Sequence, residues 1–290
     1  MAELDNLKGK GPQGRTFRTI TFPAAVVLTL WCVVRSMMAD ALAGPLERVE
    51  FESASQPLIP GDRIQGYLAK PEGAGPFPAV VGLHGCAGLN ATKQRLTDEL
   101  VTRGYVTLLV DSFATRGIDQ ACTSRGFLAN ARRRTSDAYG ALGFLARQTF
   151  VDPRRVAAVG TSQGGWVALS VAESNSFELF VFPSHLRFRA VVAFYPPCSF
   201  AGARPGIPAL ILIGAVDDWT PAADCSQTVL YWGTEGPSIE QVVYPGAHHG
   251  FYYPGFQPGR ILFRHWVEYN GEAADKASRR MLEFLDHHLN

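Results

Sequence analysis

The sequence is poor in charge and in cysteine. Only 18% of its 290 residues are charged, and 27 Lys and Arg stand against 26 Asp and Glu for a formal net charge of +1. Such a balance supplies no basic surface for phosphate backbones, so a nucleic-acid partner is not expected. Five cysteines are too few for a disulfide scaffold, though enough for isolated bridges. No apolar run reaches the roughly 20 residues of a membrane span, and the mean hydropathy is +0.01. No P-loop or dinucleotide fingerprint occurs, and no Cys, His, Asp or Glu set stands at metal-ligand spacing. Neither a cofactor nor a metal is therefore expected. What is present is apolar: 47% of the residues are hydrophobic, ample for a large core and far from a disordered composition.

The first stretch reads as a leader. Lys8, Lys10, Arg15 and Arg18 precede an apolar run from Ile20 to Val34, and Ala41-Leu42-Ala43 offers a small-residue cleavage pattern before Gly44. These are the three parts of a secretory signal peptide. The expectation is cleavage after Ala43, a secreted or periplasmic protein and no stable membrane insertion; the alternative is an uncleaved anchor. Residues 44–290 then form a single α/β domain of ordinary length. Cys32 leaves with the leader, and Cys86, Cys122, Cys198 and Cys225 remain.

Along that domain, apolar runs alternate with helical patterns. Strands are expected at Val49–Ala54, Ile64–Ala69, Pro78–Leu83, Tyr105–Val110, Val156–Val159, Ala190–Tyr195, Leu210–Ile213 and Gln241–Tyr244. The first two suit an antiparallel hairpin. Helices are expected at Lys93–Arg103, Leu128–Gln148, Gly164–Ala172, Pro221–Trp232 and Ala273–Leu289, the second with Arg132 to Arg134 on its wet side. Strand–helix alternation means a mostly parallel sheet with helices on both faces. Ligands in such sheets sit beyond the carboxyl ends of the strands. The segment Glu173–Arg189 is irregular and reads as a loop or small cap. It and Phe127–Arg134 are the regions expected to shape substrate preference.

The chemistry at the strand ends is specific. After Val159 comes Gly160-Thr161-Ser162-Gln163-Gly164, a G-x-S-x-G pattern between a strand and a helix. A serine on so sharp a turn is lifted clear of the sheet, and its neighbours must lack a β-carbon. After Ile213 come Asp217 and Asp218; after Tyr244 come His248 and His249. The order Ser, Asp, His is that of a serine-hydrolase triad on this kind of sheet. Adjacent loop residues point different ways, so one of each pair should reach Ser162, and periodicity does not choose between them. The backbone N–H groups of Cys86, in the glycine-rich turn after Leu83, and of Gln163 are candidate oxyanion donors. A nucleophilic role for the Cys86 thiol is the lesser alternative, since no base is specified beside it. Arg116 is a candidate for binding a substrate carboxylate, with a loop salt bridge as the competing role. His84 and Trp166 complete the substrate-binding candidates, although the favoured role for His84 is to stabilise the loop.

With these residues in view, the chain resembles the dienelactone hydrolase family of the α/β hydrolases. The likeness is carried by LHGCAGL at Leu83–Leu89, DSFATRG at Asp111–Gly117, VDPRRVAAVGTSQGG at Val151–Gly165, FRAVVAFYPPC at Phe188–Cys198, GAVDDWTPAADC at Gly214–Cys225 and YPGAHHGF at Tyr244–Phe251. The resemblance implies an α/β-hydrolase fold and selects Asp217 and His249 from the doublets. Founding members carry a cysteine at the elbow and a glutamate in the oxyanion loop; here Ser162 and His84-Gly85-Cys86 stand there. The implied activity is hydrolysis of small-molecule carboxylic esters or lactones through an acyl-enzyme. Acyl transfer and amide or polyester cleavage on the same triad are rivals, as is a non-catalytic binding protein. In the implied layout Cys198 and Cys225 follow neighbouring strand ends, which makes them candidates for a bridge, with Cys86 and Cys122 as the second. Four cysteines allow three pairings, and sequence does not choose.

Overall fold

A computed structural model describes residues 46–89, 92–183 and 185–290. The signal peptide expected at residues 1–43 lies outside the described residues. Among the described residues no helix is long and apolar enough to cross a membrane.

The strands that read as continuous apolar runs form the middle of the sheet. They are β3 (Phe77–Leu83), β4 (Val106–Asp111), β5 (Val151–Thr161), β6 (Val191–Phe194) and β7 (Ala209–Gly214). Parallel strands covered on both faces leave no wet side, so alternation gives way to unbroken Val, Ile, Leu and Ala; β4, β6 and β7 are buried throughout. With β1 (Glu47–Glu52), β2 (Arg63–Ala69) and β8 (Ile239–Tyr244) they make one eight-stranded sheet in the order β1-β2-β4-β3-β5-β6-β7-β8. β1 pairs antiparallel with β2 as the hairpin reading expected, β2 pairs antiparallel with β4, and all later pairings are parallel. β5 is longer than the sequence implied. It begins at Val151, opposite Phe77, and shifts register before Val156 meets Ala79.

The helices are α1 (Thr92–Thr102), α2 (Ser124–Ala146), α3 (Gln163–Ala172), α4 (Ala222–Trp232) and α5 (Gly271–Leu289). α1 and α5 lie side by side, tied by Arg95–Asp275 at 2.9 Å and by Arg103–Asp286. α2 and α3 pack on each other and on β5. α5 starts with Asn270, whose side chain accepts the Ala273 N–H at 3.1 Å and so satisfies one of the free donors of the first turn.

Three expectations need correction. Arg134 does not lie on the wet side of α2; it is 1% exposed. Successive helical residues are about 100° apart, so three in a row cannot share a face. Arg133 points outward to Asp62 at 2.8 Å while Arg134 turns into the core. The segment Glu173–Arg189 is a loop, one of the two forms expected, but among the described residues none of it lines the cavities at Ser162 that it was expected to shape. It forms a short 3-10 turn at Ser176–Leu179 and a bridge from Val181 to Ser55, near the β1 edge. The element that reaches the strand ends is a small ribbon, β9 (Arg260–Leu262) with β10 (His265–Val267). Its tip residues Phe263 and Arg264 sit at φ 49° and 76°. Tight hairpin tips in this conformation usually carry Asn or Gly, and without them the ribbon left no turn signal in the sequence.

Arg116 is likewise spent on the fold. Its guanidinium bonds Asp137 with both nitrogens at 2.7 Å, Asp62 at 2.6 Å and the Ser112 carbonyl at 2.7 Å. Its side chain is 7% exposed and that of Asp137 is wholly buried. Removing one partner of such a pair strands the other charge out of water. Asp137→Ala is expected to lower unfolding stability by about 3 kcal/mol, read from the urea midpoint at unchanged slope.

Candidate active site

The site is built on main-chain contacts. Ser162, between β5 and α3, holds φ 52° and ψ −119°, and its N–H donates to Phe194 O at 2.9 Å. A β-carbon at Gly160 would lie 2.0 Å from Gly164 O, and one at Gly164 would lie 2.2 Å from Leu83 O. Neither position admits a side chain, so the spacing of the motif is a steric requirement. The turn presents a half-buried Ser162 at the N-terminus of α3, where free N–H groups favour negative charge.

His249 and Asp217 complete a hydrogen-bonded chain. His249 Nε2 is 3.1 Å from Ser162 Oγ, and His249 Nδ1 is 2.8 Å from Asp217 Oδ2. Both side chains are nearly excluded from solvent. Asp217 Oδ1 accepts the backbone N–H groups of Trp219 at 2.9 Å and Thr220 at 2.8 Å. Burial alone pushes the Asp217 carboxyl up. His249 and the Thr220 donors more than offset this and hold it below the usual carboxylate range. The Thr220 hydroxyl lies within hydrogen-bond distance of Asp217, His249 and the Tyr195 carbonyl, and was not singled out from sequence.

The two doublets separate cleanly. Asp218 turns to the ribbon, where Oδ1 accepts the Trp266 N–H at 3.2 Å and Oδ2 lies 3.8 Å from His265. His248 turns the same way, 3.9 Å from Glu268 and edge-on to Trp266. The ribbon also holds His249 itself, since Glu268 N–H donates to His249 O at 3.3 Å. Adjacent residues of an extended loop project to opposite sides, so bringing His249 and Asp217 to Ser162 sends their neighbours to the ribbon.

The loop after β3 abuts Ser162: a β-carbon on Gly85 would sit 3.5 Å from Ser162 Cβ. Cys86 lines the cavity at the serine and is bonded to Cys122, while Cys198 is bonded to Cys225. Of the remaining candidates, none reaches the cavity as a binding group. His84 is buried, with Nδ1 donating to Gly85 O at 2.7 Å and Nε2 accepting the Ser112 N–H at 3.3 Å. Burial and the Arg134 charge hold its ring well below the ordinary histidine range, so it stays neutral and braces the loop. Trp166 stands one layer back, stacked on Phe127 at 6.1 Å. Arg116 is engaged as described above and is not free for a carboxylate.

Arg134 is the buried residue that sequence reasoning missed. Nη1 donates to Gln163 Oε1 at 2.8 Å and Nη2 donates to His84 O; Gln163 Nε2 in turn donates to Phe127 O at 2.8 Å. One cation thus ties the elbow, the loop after β3 and the start of α2. Burial pulls its guanidinium down to about 10, so it remains charged at neutral pH. The available signal was its position, three residues before Asp137 on one helix face. Arg134→Met fills the volume and removes both links. It is expected to slow phosphonylation of Ser162 by a fluorophosphonate about 10-fold, measured as a second-order rate, while circular dichroism stays native.

Comparison with known proteins agrees with this architecture. A Synechocystis sp. protein, named as a candidate carboxymethylenebutenolidase, is 24% identical over 251 residues, covering 80% of this chain and 95% of that one. The crystal structure of a dienelactone hydrolase from Anabaena variabilis superposes with a TM-score of 0.59 at 22% identity, over 84% of this chain and 99% of that one. A bacterial heroin esterase superposes with a TM-score of 0.63 at 15% identity, over 91% of this chain and 90% of that one. The model of the dienelactone hydrolase family matches residues 64–289, which spans the sheet from β2 to α5 and every residue of the site. The chain belongs to the dienelactone hydrolase family of α/β hydrolases and is a carboxylic ester hydrolase.

Proposed function

We propose that the protein is an exported serine hydrolase that cleaves carboxylic esters or lactones through an acyl-enzyme on Ser162. The observation that carries this reading is the unbroken chain from Ser162 Oγ through His249 to the buried Asp217 carboxylate. Ser162 Oγ attacks the ester carbonyl carbon and passes its proton to His249 Nε2. Asp217 holds the ring with Nδ1 protonated and stabilises the imidazolium. The carbonyl oxygen, now negative, takes hydrogen bonds from the N–H groups of Cys86 and Gln163. His249 then returns the proton to the departing alkoxide, and the acyl group stays on Ser162. Water enters by the reverse sequence, with His249 as base, and releases the acid.

The strained Ser162 backbone supports the nucleophile assignment, because such strain persists only where the surroundings enforce it. The expected outcome is stoichiometric labelling of Ser162 by a fluorophosphonate, located by peptide mass spectrometry. Ser162→Ala should lose the label and at least about 1,000-fold in kcat on a short p-nitrophenyl ester. A folded protein that resists the label and leaves every ester intact would rule this reading out.

Export is supported by the basic, apolar and small-residue pattern before Gly44 and by two disulfides, which suit an oxidising compartment. The mature protein recovered outside the cytoplasm should begin at Gly44 by N-terminal sequencing. Retention of Met1 would contradict cleavage.

A further inference from the structure

Ser162 stands between two cavities of unequal size. The smaller holds about 60 Å³ and is walled by Tyr195, Tyr253, Phe256, Leu262 and Phe263. The larger holds about 390 Å³ and is walled by Phe127, Pro197, Phe200 and Trp219. Cys122, Ser162 and Trp219 belong to both, so the two spaces flank the nucleophile.

The larger wall is an aromatic corner. Phe127 and Phe200 have ring centroids 5.7 Å apart and planes 44° apart, and Trp166 backs both, stacked on Phe127 at 6.1 Å and tilted against Phe200 at 6.0 Å. Phe200 is 47% exposed, although its backbone is fixed by the neighbouring Cys198–Cys225 bridge. Trp219 is held in turn by stacking on His265 at 5.0 Å and 12°. Pre-positioned aromatic side chains bind a ring face-on or edge-on at little entropic cost. Among the residues whose side chains are described, those lining the two cavities include no Lys, Arg, Asp or Glu. A carboxylate placed against these walls would shed its water without a partner in return. The smaller space is much the tighter of the two, so it suits the smaller arm of an ester.

We infer that the site takes uncharged esters that carry an aromatic ring on one side of the ester group and a short aliphatic arm on the other. The inference rests on the reading of Ser162 as nucleophile and adds the substrate class. Hydrolysis breaks the acyl C–O bond, adds water across it and releases one acid and one alcohol. The ring packs into the corner between Phe127 and Phe200, face to one and edge to the other, and the short arm enters the pocket under the ribbon.

The test is a matched panel on the purified protein. Benzyl acetate and methyl phenylacetate are isomers that place the ring on the alcohol and acyl side respectively. Butyl acetate lacks the ring, and 4-carboxybenzyl acetate adds a charge. The faster isomer is expected to exceed butyl acetate in kcat/KM by at least about 10-fold and the carboxylated ester by a similar factor. Lengthening the short arm of that isomer by a butyl unit should cost about 10-fold. Phe200→Ala should raise KM for the ring ester about 10-fold with kcat little changed, and raise it much less for butyl acetate. Phe200→Tyr keeps the ring and should keep the preference.

A preference for the carboxylated or dialkyl ester would overturn the inference, as would an equal effect of Phe200→Ala on every substrate. Fluorophosphonate labelling of Ser162 separates the two levels of failure. Labelling without aromatic preference overturns the substrate class alone. No labelling and no turnover overturns the reading of the site as well.

Discussion

The whole site depends on one close approach of three main-chain segments. The end of β5, the first turn of α3 and the end of β3 meet with no side chain between them, because β-carbons at Gly160 and Gly164 would collide with backbone oxygens at 2.0 Å and 2.2 Å. This contact forces Ser162 to φ 52°. Such a conformation costs about 1–3 kcal/mol in isolation, and the packed sheet on either side keeps the turn from relaxing. The same contact brings the glycine-rich loop after β3 against the serine. Ser162 and the loop are therefore placed by a single steric event.

Behind that contact lies a layer of buried charge. Arg134 holds Gln163 and the His84 carbonyl from below, while Asp137, one turn along α2, binds Arg116, which in turn binds Asp62. Buried ions gain little net stability over apolar residues of the same volume, but their hydrogen bonds are directional. Here they fix the elbow and the adjoining loop relative to α2. In front of the site the ribbon has the complementary role. Asp218, His248, His265 and Trp266 gather there, and its backbone holds His249.

Family membership and site geometry bear on different questions. The family match covers the sheet and its strand-end loops and assigns the class of reaction. The cavity walls come from Phe127, Phe200, Trp219 and the ribbon tip, and these side chains decide what fits beside Ser162. The cation that sequence reasoning offered for a substrate carboxylate, Arg116, is held by two carboxylates of the fold itself.

The sheet was legible because parallel strands buried on both faces write themselves as short unbroken apolar runs; β3, β4, β6 and β7 lie within one residue of where the sequence placed them, whereas β5 starts earlier and β8, at the edge, is only partly apolar. The elbow was legible because its glycines are a steric necessity independent of context. The order of Ser162, Asp217 and His249 was legible because each follows its own strand. Which member of each doublet faces the serine is not a property of the local chain. It follows from the ribbon, which draws Asp218 and His248 away and which no turn residue announced. The inward turn of Arg134 follows from helix phase against a neighbouring helix. The pairing of four cysteines follows from which loops end up adjacent. Periodicity and sterics act within a few residues and so can be read along the chain; orientation and partnership depend on segments far apart in sequence, and only the packed structure decides them.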